Sequence, residues 1–390
     1  MALDDISLRS FSSFSDLENV IHYQKMRPNT SKYFEWCWIR YNATLTDPQP
    51  PIVEINYVYS ETASIIAGIG FALESIIGTI LNLLVIIALT RNADFRKEYL
   101  TPSIVSIAFT DLLYSVFSLP ILSLHYFTKD MPAANCNIFS FFIYGLWLCS
   151  ACNLLGIAIL RCAAIYYPTK TDGTRFKRTA KLTPIMAWII AFLPFVPVLF
   201  GKLGRFELDC ETRMCRYMNM DSNGYSTNID LIAVIGNAVI IMGILMFVLN
   251  GATYAQVSKL LKQIIKQMKD ANISMSKSML EKERRLGKMM AIISILFFLV
   301  YCPTLILFKI EPEARVTKPT ATILCLLVNA SIGTIDPLVY MICQKKYRNE
   351  MKMVLESLFA CKNPFYTITP IKATRSTAAK RKTFEKSMLH

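Results

Sequence analysis

Seven long apolar stretches separated by short polar ones organise the chain, near residues 63–90, 99–125, 136–166, 183–203, 229–256, 287–308 and 320–343. An α-helix needs roughly 20 apolar residues to cross a hydrocarbon layer about 30 Å thick, and each stretch is long enough. Backbone inside lipid has no water to bond to, so these stretches are expected as helices. The clearest are SIIGTILNLLVIIAL, IIAFLPFVPVLF and AIISILFFLVYCPTLILF. The fold class that follows is an all-α membrane protein, a seven-transmembrane helix bundle. A different pattern comes next, in KKYRNEMKMVLESLFAC. There Tyr347, Met351, Val354, Leu355, Leu358 and Phe359 recur at spacings of three and four, with Lys and Arg on the other face. That is a short amphipathic helix lying in the membrane surface. The expected organisation is a tail over 1–62, the bundle over 63–343, the juxtamembrane helix over 344–361 and a disordered tail over 362–390.

Composition agrees. Apolar residues are 53% of the chain, charged residues 18%, and the mean hydropathy is +0.38. Soluble domains carry about 25% charged residues, so an ordinary soluble enzyme is excluded. Charge also sets the orientation. Of the 42 Lys and Arg, 28 lie after the seventh stretch or between the first and second, third and fourth, or fifth and sixth, counting Lys288 at the edge of the sixth. The positive-inside rule puts these segments and the C-terminus in the cytosol, and the N-terminus outside the plasma membrane. The basic excess reads as topology and attraction to membrane lipids, with no nucleic acid as partner. The start, MALDDISLRS, has no apolar core after it, so the first helix is expected to act as an uncleaved anchor. The sequons at Asn29 and Asn42 fall on the expected outside; that at Asn272 falls in the cytosol and is discounted.

Eleven cysteines are too few for a disulfide scaffold and show no metal spacing. Cys136 opens the third stretch on the outer side, and Cys210 and Cys215 lie in the outer loop after the fourth. One of these two can bridge to Cys136, and Cys37 in the tail could take the other. Cys361 closes the amphipathic helix as a palmitoylation candidate. The remaining cysteines are expected only to pack.

Polar residues inside apolar helices are costly in lipid and therefore informative. The first helix holds Asn82 in LNLLV and the second Asp111 in SIAFTDLL. The third has Arg161 in LRCAAIYYP, 25 residues after Cys136, and Pro168 follows seven residues later. The fourth has Trp188 and Pro197, and the fifth ends with Tyr254. The sixth has Phe297 and Pro303 in FFLVYCP, and the seventh closes on Asp336-Pro337-Leu338-Val339-Tyr340. One landmark per helix, in this order, resembles the rhodopsin-like (class A) G-protein-coupled receptors over about residues 63–361. Within them, GKLGRFELDCETRMC in the second outer loop and EKERRLGKMM entering the sixth helix resemble the invertebrate Moody and trapped-in-endoderm receptors.

The resemblance implies roles. Arg161 is a permanent cation near the cytosolic face. It would pair with an acid at rest and meet a G protein when the sixth helix swings out. Glu283, in the basic run opening that helix, is the best partner; an arginine snorkelling to the interface is the plain alternative. The acid usual before this arginine is Leu160 here, and the aromatic usual after it is Cys162, so a weaker resting lock is expected. Asp111, Ser150 and Asp336 form a hard-oxygen set suited to Na⁺ as an allosteric ion, against a hydrogen-bonded core pair without an ion. No other cofactor is expected. Tyr254 and Tyr340 would approach each other in the active state. Pro303 and Pro337 free backbone groups and kink their helices. Phe297 and Tyr301 lie beside the first of these prolines; Tyr301 stands where the family often has tryptophan, and Met246 where the fifth helix usually has proline.

In the pocket, amine receptors carry an aspartate where this chain has Ile143, beside Tyr144 and Trp147. A lipid-like or peptide ligand is therefore expected, with Glu74 in the first helix as a further candidate contact. The implied partners are an extracellular ligand, a heterotrimeric G protein, arrestin and a receptor kinase acting on the tail. Two readings compete: a signalling receptor, and a non-signalling decoy or partner receptor motivated by Leu160 and Cys162. There is no phosphate-binding loop, zinc pattern or nucleophile–histidine pair, so no enzyme is expected; nor are the inverted repeats of a transporter present.

Overall fold

The computed structural model describes residues 21–26, 35–40, 59–129, 136–167, 174–208, 214–218, 231–271, 277–310 and 317–360. For 21–26, 35–40, 207–208, 261, 264–271, 277–283 and 308 it describes the backbone alone. Six helices are long and apolar enough to cross a membrane, and a bent pair makes the seventh span. They are α1 (Glu61–Arg91), α2 (Thr101–Thr128), α3 (Cys136–Tyr166), α4 (Thr174–Leu199), α5 (Leu231–Ala271) and α6 (Lys277–Ile310). The seventh, α7, joins Pro319–Ala330 to Ile332–Cys343 at 41°. A final helix, α8 (Lys345–Phe359), follows. Two antiparallel hairpins complete the described structure: β1 (Ile21–Met26) with β2 (Glu35–Arg40), and β3 (Arg205–Leu208) with β4 (Cys215–Met218).

Local chemistry sets the helix ends. Ser60 caps α1 by accepting a hydrogen bond from the Ala63 amide at 3.2 Å, with Glu61 in the first turn and Arg91 in the last. Both charges suit the helix dipole. Asn92 ends α1 and caps the single turn that follows, accepting from the Asp94 amide at 2.9 Å. Pro102 sits in the first turn of α2, where a missing N–H costs nothing.

Helices outrun the apolar stretches. Where 183–203, 229–256 and 287–308 mark lipid depth, α4 begins at Thr174, α5 continues to Ala271 and α6 begins at Lys277. Lys, Gln, Met and Glu are good helix formers, so hydrogen bonding continues past the bilayer edge. The break in α7 also differs from expectation. It falls at Ser331, six residues before Pro337, which lies inside a continuous helical segment. Pro337 has no N–H for the carbonyl of Gly333, four residues earlier. Asn82 of α1 supplies the missing donor: its Nδ2 reaches that carbonyl at 2.7 Å. Pro303 is likewise contained within α6.

α3 packs on α2, α4 and α5; α1 packs on α2 and α7; α6 packs between α5 and α7. A large core runs through the bundle, and a smaller one gathers Tyr59, Phe71, Leu119, Tyr126, Met214 and Ile323 near the β3–β4 end. Ile65, Ile66, Ile69 and Ile76 of α1 stay exposed, as expected of a face turned to lipid.

Candidate functional site

At the β3–β4 end a disulfide joins Cys136, at the start of α3, to Cys215 of β4. Cys210, the alternative, lies outside the described residues. The bridge holds the hairpin over α3, and Asn137 Oδ1 accepts a hydrogen bond from the Phe206 amide at 2.8 Å. Phe206 is buried and stacks on Tyr144 of α3 with centroids 5.3 Å apart. Tyr144 also stacks on Phe195 of α4. Ile143, its neighbour, packs into the smaller core with Met214, whose sulfur meets the hydroxyls of Tyr59 and Tyr126. Trp147 meets Tyr301 of α6 edge-on at 5.3 Å, and Tyr301 meets Phe297 at 4.6 Å. A continuous aromatic path thus leads from Trp147 on α3 into the middle of α6. Glu74 is half-buried, and its Oε2 has no hydrogen-bond partner.

Halfway down, Ser150 Oγ donates to Asp111 Oδ1 at 3.3 Å. Asp111 and Asp336 are both buried, and Asp111 Oδ2 and both Asp336 oxygens lack hydrogen-bond partners. Unsatisfied buried oxygens of this kind call for a cation, a proton or water. Two carboxylates and a hydroxyl are hard donors that fit Na⁺. Among the described residues no group of three His, Cys, Asp or Glu side chains gathers as a metal site. Gly333, opposite, brings α7 into contact with Asp111: a Cβ there would stand 3.6 Å from Asp111 Cβ.

At the far end Arg161 is fully buried in α3. α6 closes on it at Gly287. A Cβ placed there would lie 3.3 Å from Arg161 Nη2 and 3.5 Å from Tyr254 Cδ2. Any larger side chain must displace the guanidinium, the α5 phenol or α6 itself. Glu283 lies on α6 one turn before Gly287; its side chain is outside the described residues. Leu160 and Cys162 flank Arg161, the first buried and the second half-buried. One turn before Tyr254, Asn250 Nδ2 donates to Ser294 Oγ at 2.8 Å and ties α5 to α6. Tyr340 is buried with its ring 6.1 Å from Tyr347 of α8. Tyr254 and Tyr340 share neither a ring contact nor a hydrogen bond.

α8 is clasped to the α1–α2 turn. Phe95 and Tyr347 rings meet at 4.7 Å, and Lys346 Nζ lies 4.1 Å above Phe95 and 3.4 Å from Glu98 Oε1. Asn92 Nδ2 donates to Glu350 Oε2 at 2.9 Å. Burial first, then the Glu98 carboxylate, holds the Tyr347 phenol above its ordinary range, so it stays neutral at the membrane surface.

Asn29, Asn42 and Cys361 lie outside the described residues, and so does the side chain of Cys37. Sequence reasoning missed Phe206, Met214 and Gly287. For Gly287 there was a signal: a lone glycine in a run of helix formers costs about 1 kcal/mol against alanine, so its presence asks for a reason. Phe206 and Met214 sit where no periodic pattern exists.

The family model of the 7 transmembrane receptors (rhodopsin family) matches residues 81–340. The chain is 22% identical to Protein trapped in endoderm-1 of Drosophila melanogaster over 316 residues, 76% of this chain and 79% of that one. It is 26% identical to Galanin receptor 2a of Danio rerio over 321 residues, 79% of this chain and 83% of that one. The crystal structure of squid rhodopsin has the same fold, with a TM-score of 0.61 at 18% identity, covering 80% of this chain and 94% of the other.

Proposed function

The chain belongs to the rhodopsin family of seven-transmembrane receptors, and we propose that it carries an extracellular signal to a heterotrimeric G protein by moving α6 away from Arg161. It is a multi-pass membrane receptor of a family that signals through G proteins, not an enzyme. In this reading it sits in the plasma membrane with its N-terminus outside. A disulfide at the Cys136 end supports that orientation, since such bonds persist in oxidising surroundings. Asn29 and Asn42 then carry glycans and Cys361 an acyl chain.

One observation carries the mechanism: the near contact of Gly287 with Arg161 and Tyr254. With α6 this close, the cation is covered. Moving α6 uncovers it and opens a cleft for a Gα subunit, after which arrestin and a receptor kinase can follow. A ligand drives this only by its differential affinity for the two arrangements. The aromatic path Trp147–Tyr301–Phe297 links the outer end to α6. The ligand is no biogenic amine, because α3 offers Ile143 at the usual carboxylate position; a lipid-like or peptide ligand suits the apolar and aromatic surroundings better. Asp111, Ser150 and Asp336 would hold Na⁺, which supplies the positive charge that two buried carboxylates lack.

The test is nucleotide exchange on a panel of Gα subunits in membranes, comparing the natural chain with Arg161→Ala and Leu160→Asp at matched surface expression. Basal exchange that is lost in the first variant and reduced in the second supports a coupled receptor with a loosened lock. Leu160 and Cys162, standing where the family usually has an acid and an aromatic, motivate the second reading of a non-signalling decoy or partner receptor. Exchange equal to that of empty membranes for all three chains and every Gα would favour it further.

A further inference from the structure

Between the outer half of α6 and the start of α7 lies a groove of about 290 Å³, lined by Pro303, Ile306, Ile310, Lys318, Ala321 and Cys325 among others. Beside it Thr304 Oγ1 donates to the Cys325 carbonyl at 3.5 Å and ties α6 to α7. The groove opens on the outward face: Ile306, inside the apolar span, is 53% exposed, and Ile310, just past its end, is 77% exposed. From Pro303 to Ile310 the α6 wall runs about 10 Å, which suits an extended hydrocarbon chain. The groove holds the part of such a chain nearest its head, and the remainder runs on along the bundle surface. The lining is apolar except at the outer end, where Lys318 precedes α7 and is exposed, and Lys309 adds a second exposed cation on the last turn of α6. A lysine at the water interface beside an apolar slot complements an amphiphile with an acidic head.

We propose that this groove binds a single-chain anionic amphiphile, with its acyl chain along the Pro303–Ile310 wall and its carboxylate or phosphate head at Lys318. The occupant wedges the outer parts of α6 and α7 against each other above the Thr304–Cys325 bond, and so bears on the helix whose inner end covers Arg161. This site is separate from the aromatic cluster around Tyr144 and Trp147, and its occupancy is measured without a G protein, so it stands or falls apart from the signalling reading.

Cys325 supplies the probe, being a free, half-buried thiol in the lining. The full chain in nanodiscs of neutral phosphatidylcholine is treated with N-ethylmaleimide, and alkylation of Cys325 is followed by peptide mass spectrometry. Oleate and oleoyl lysophosphatidate are each compared with neutral monoolein. Cys302, half-buried outside the lining, is the internal control. Both acids are expected to slow Cys325 labelling by about fivefold more than monoolein, the scale of one partly exposed charge contact, with Cys302 unchanged. Lys318→Gln should erase that difference, and Ala321→Phe should give slow labelling with no added lipid. Protection by only one of the two acids identifies the head. Equal protection by acids and monoolein means bulk hydrocarbon only and overturns the proposal. So does a Cys325 that is unreactive without amphiphile, or a charge preference that survives Lys318→Gln. Lys318 is exposed, so that variant tests the charge even if Ala321→Phe does not fold.

Discussion

At the Cys136 end the bundle is closed by a covalent bond and a run of ring contacts, whereas at the Arg161 end it is closed by a glycine. The first region holds the β3–β4 hairpin by the disulfide, the Asn137 cap on Phe206 and the Phe206–Tyr144–Phe195 stack. The second keeps a buried cation, a buried tyrosine with no hydrogen-bond partner for its hydroxyl, and an Asn250–Ser294 bond, under an α6 that approaches only because residue 287 has no side chain. Dense aromatic packing resists displacement, because each ring fills a shaped space. Polar groups under a close but small contact can exchange partners with water or another protein. The difference teaches where motion belongs: the stapled end can register a ligand while the other end opens.

Breaking the staple should have the largest effect. Cys215→Ser removes a bridge spanning 79 residues, expected to be worth about 4 kcal/mol. Most surface expression should be lost, and flow cytometry of an epitope-tagged chain reads this. Phe206→Ala comes next, at about 3 kcal/mol for an aromatic removed from a closed site. Its thermal unfolding midpoint in detergent should fall clearly below that of the natural chain, while the disulfide remains intact by mass spectrometry. In the middle, Asn82→Leu leaves the Gly333 carbonyl without its donor and should cost about 1 kcal/mol, read in the same unfolding assay. If Asp111 and Asp336 hold Na⁺, replacing Na⁺ by choline should lower the unfolding midpoint of the natural chain and leave Asp111→Asn unaffected. Smallest of all, Lys346→Ala removes a partly exposed pair and should change stability by less than about 1 kcal/mol. A large loss there would mean that the α8 clasp, not the staple, organises the bundle.

Sequence alone carried the seven spans, the amphipathic α8 and the buried polar residues, because lipid imposes length and hydropathy rules that a chain cannot disguise. Tyr347, Met351 and Val354 are buried on the face their spacing marks. Helix ends beyond the bilayer were not legible: the run from Lys277 to Glu283 is polar and helical at once. The place of the α7 bend was hidden too, because the consequence of Pro337 depends on Asn82, a residue 255 positions away. Asp111 and Ser150 were legible as a polar pair, while Phe206 and Met214 were not, since hairpin residues follow no period and their partners belong to other helices.

The central claim, that α6 rests on Arg161 through Gly287 and opens to signal, is tested most directly by a size series at residue 287. Gly287→Ala, Gly287→Val and Gly287→Leu would be compared for basal nucleotide exchange at matched surface expression, each with and without Arg161→Ala. The account predicts that exchange rises in step with side-chain volume and that Arg161→Ala abolishes the rise in every case. Exchange that stays flat across the series in well-expressed variants, or a rise that survives Arg161→Ala, would contradict it.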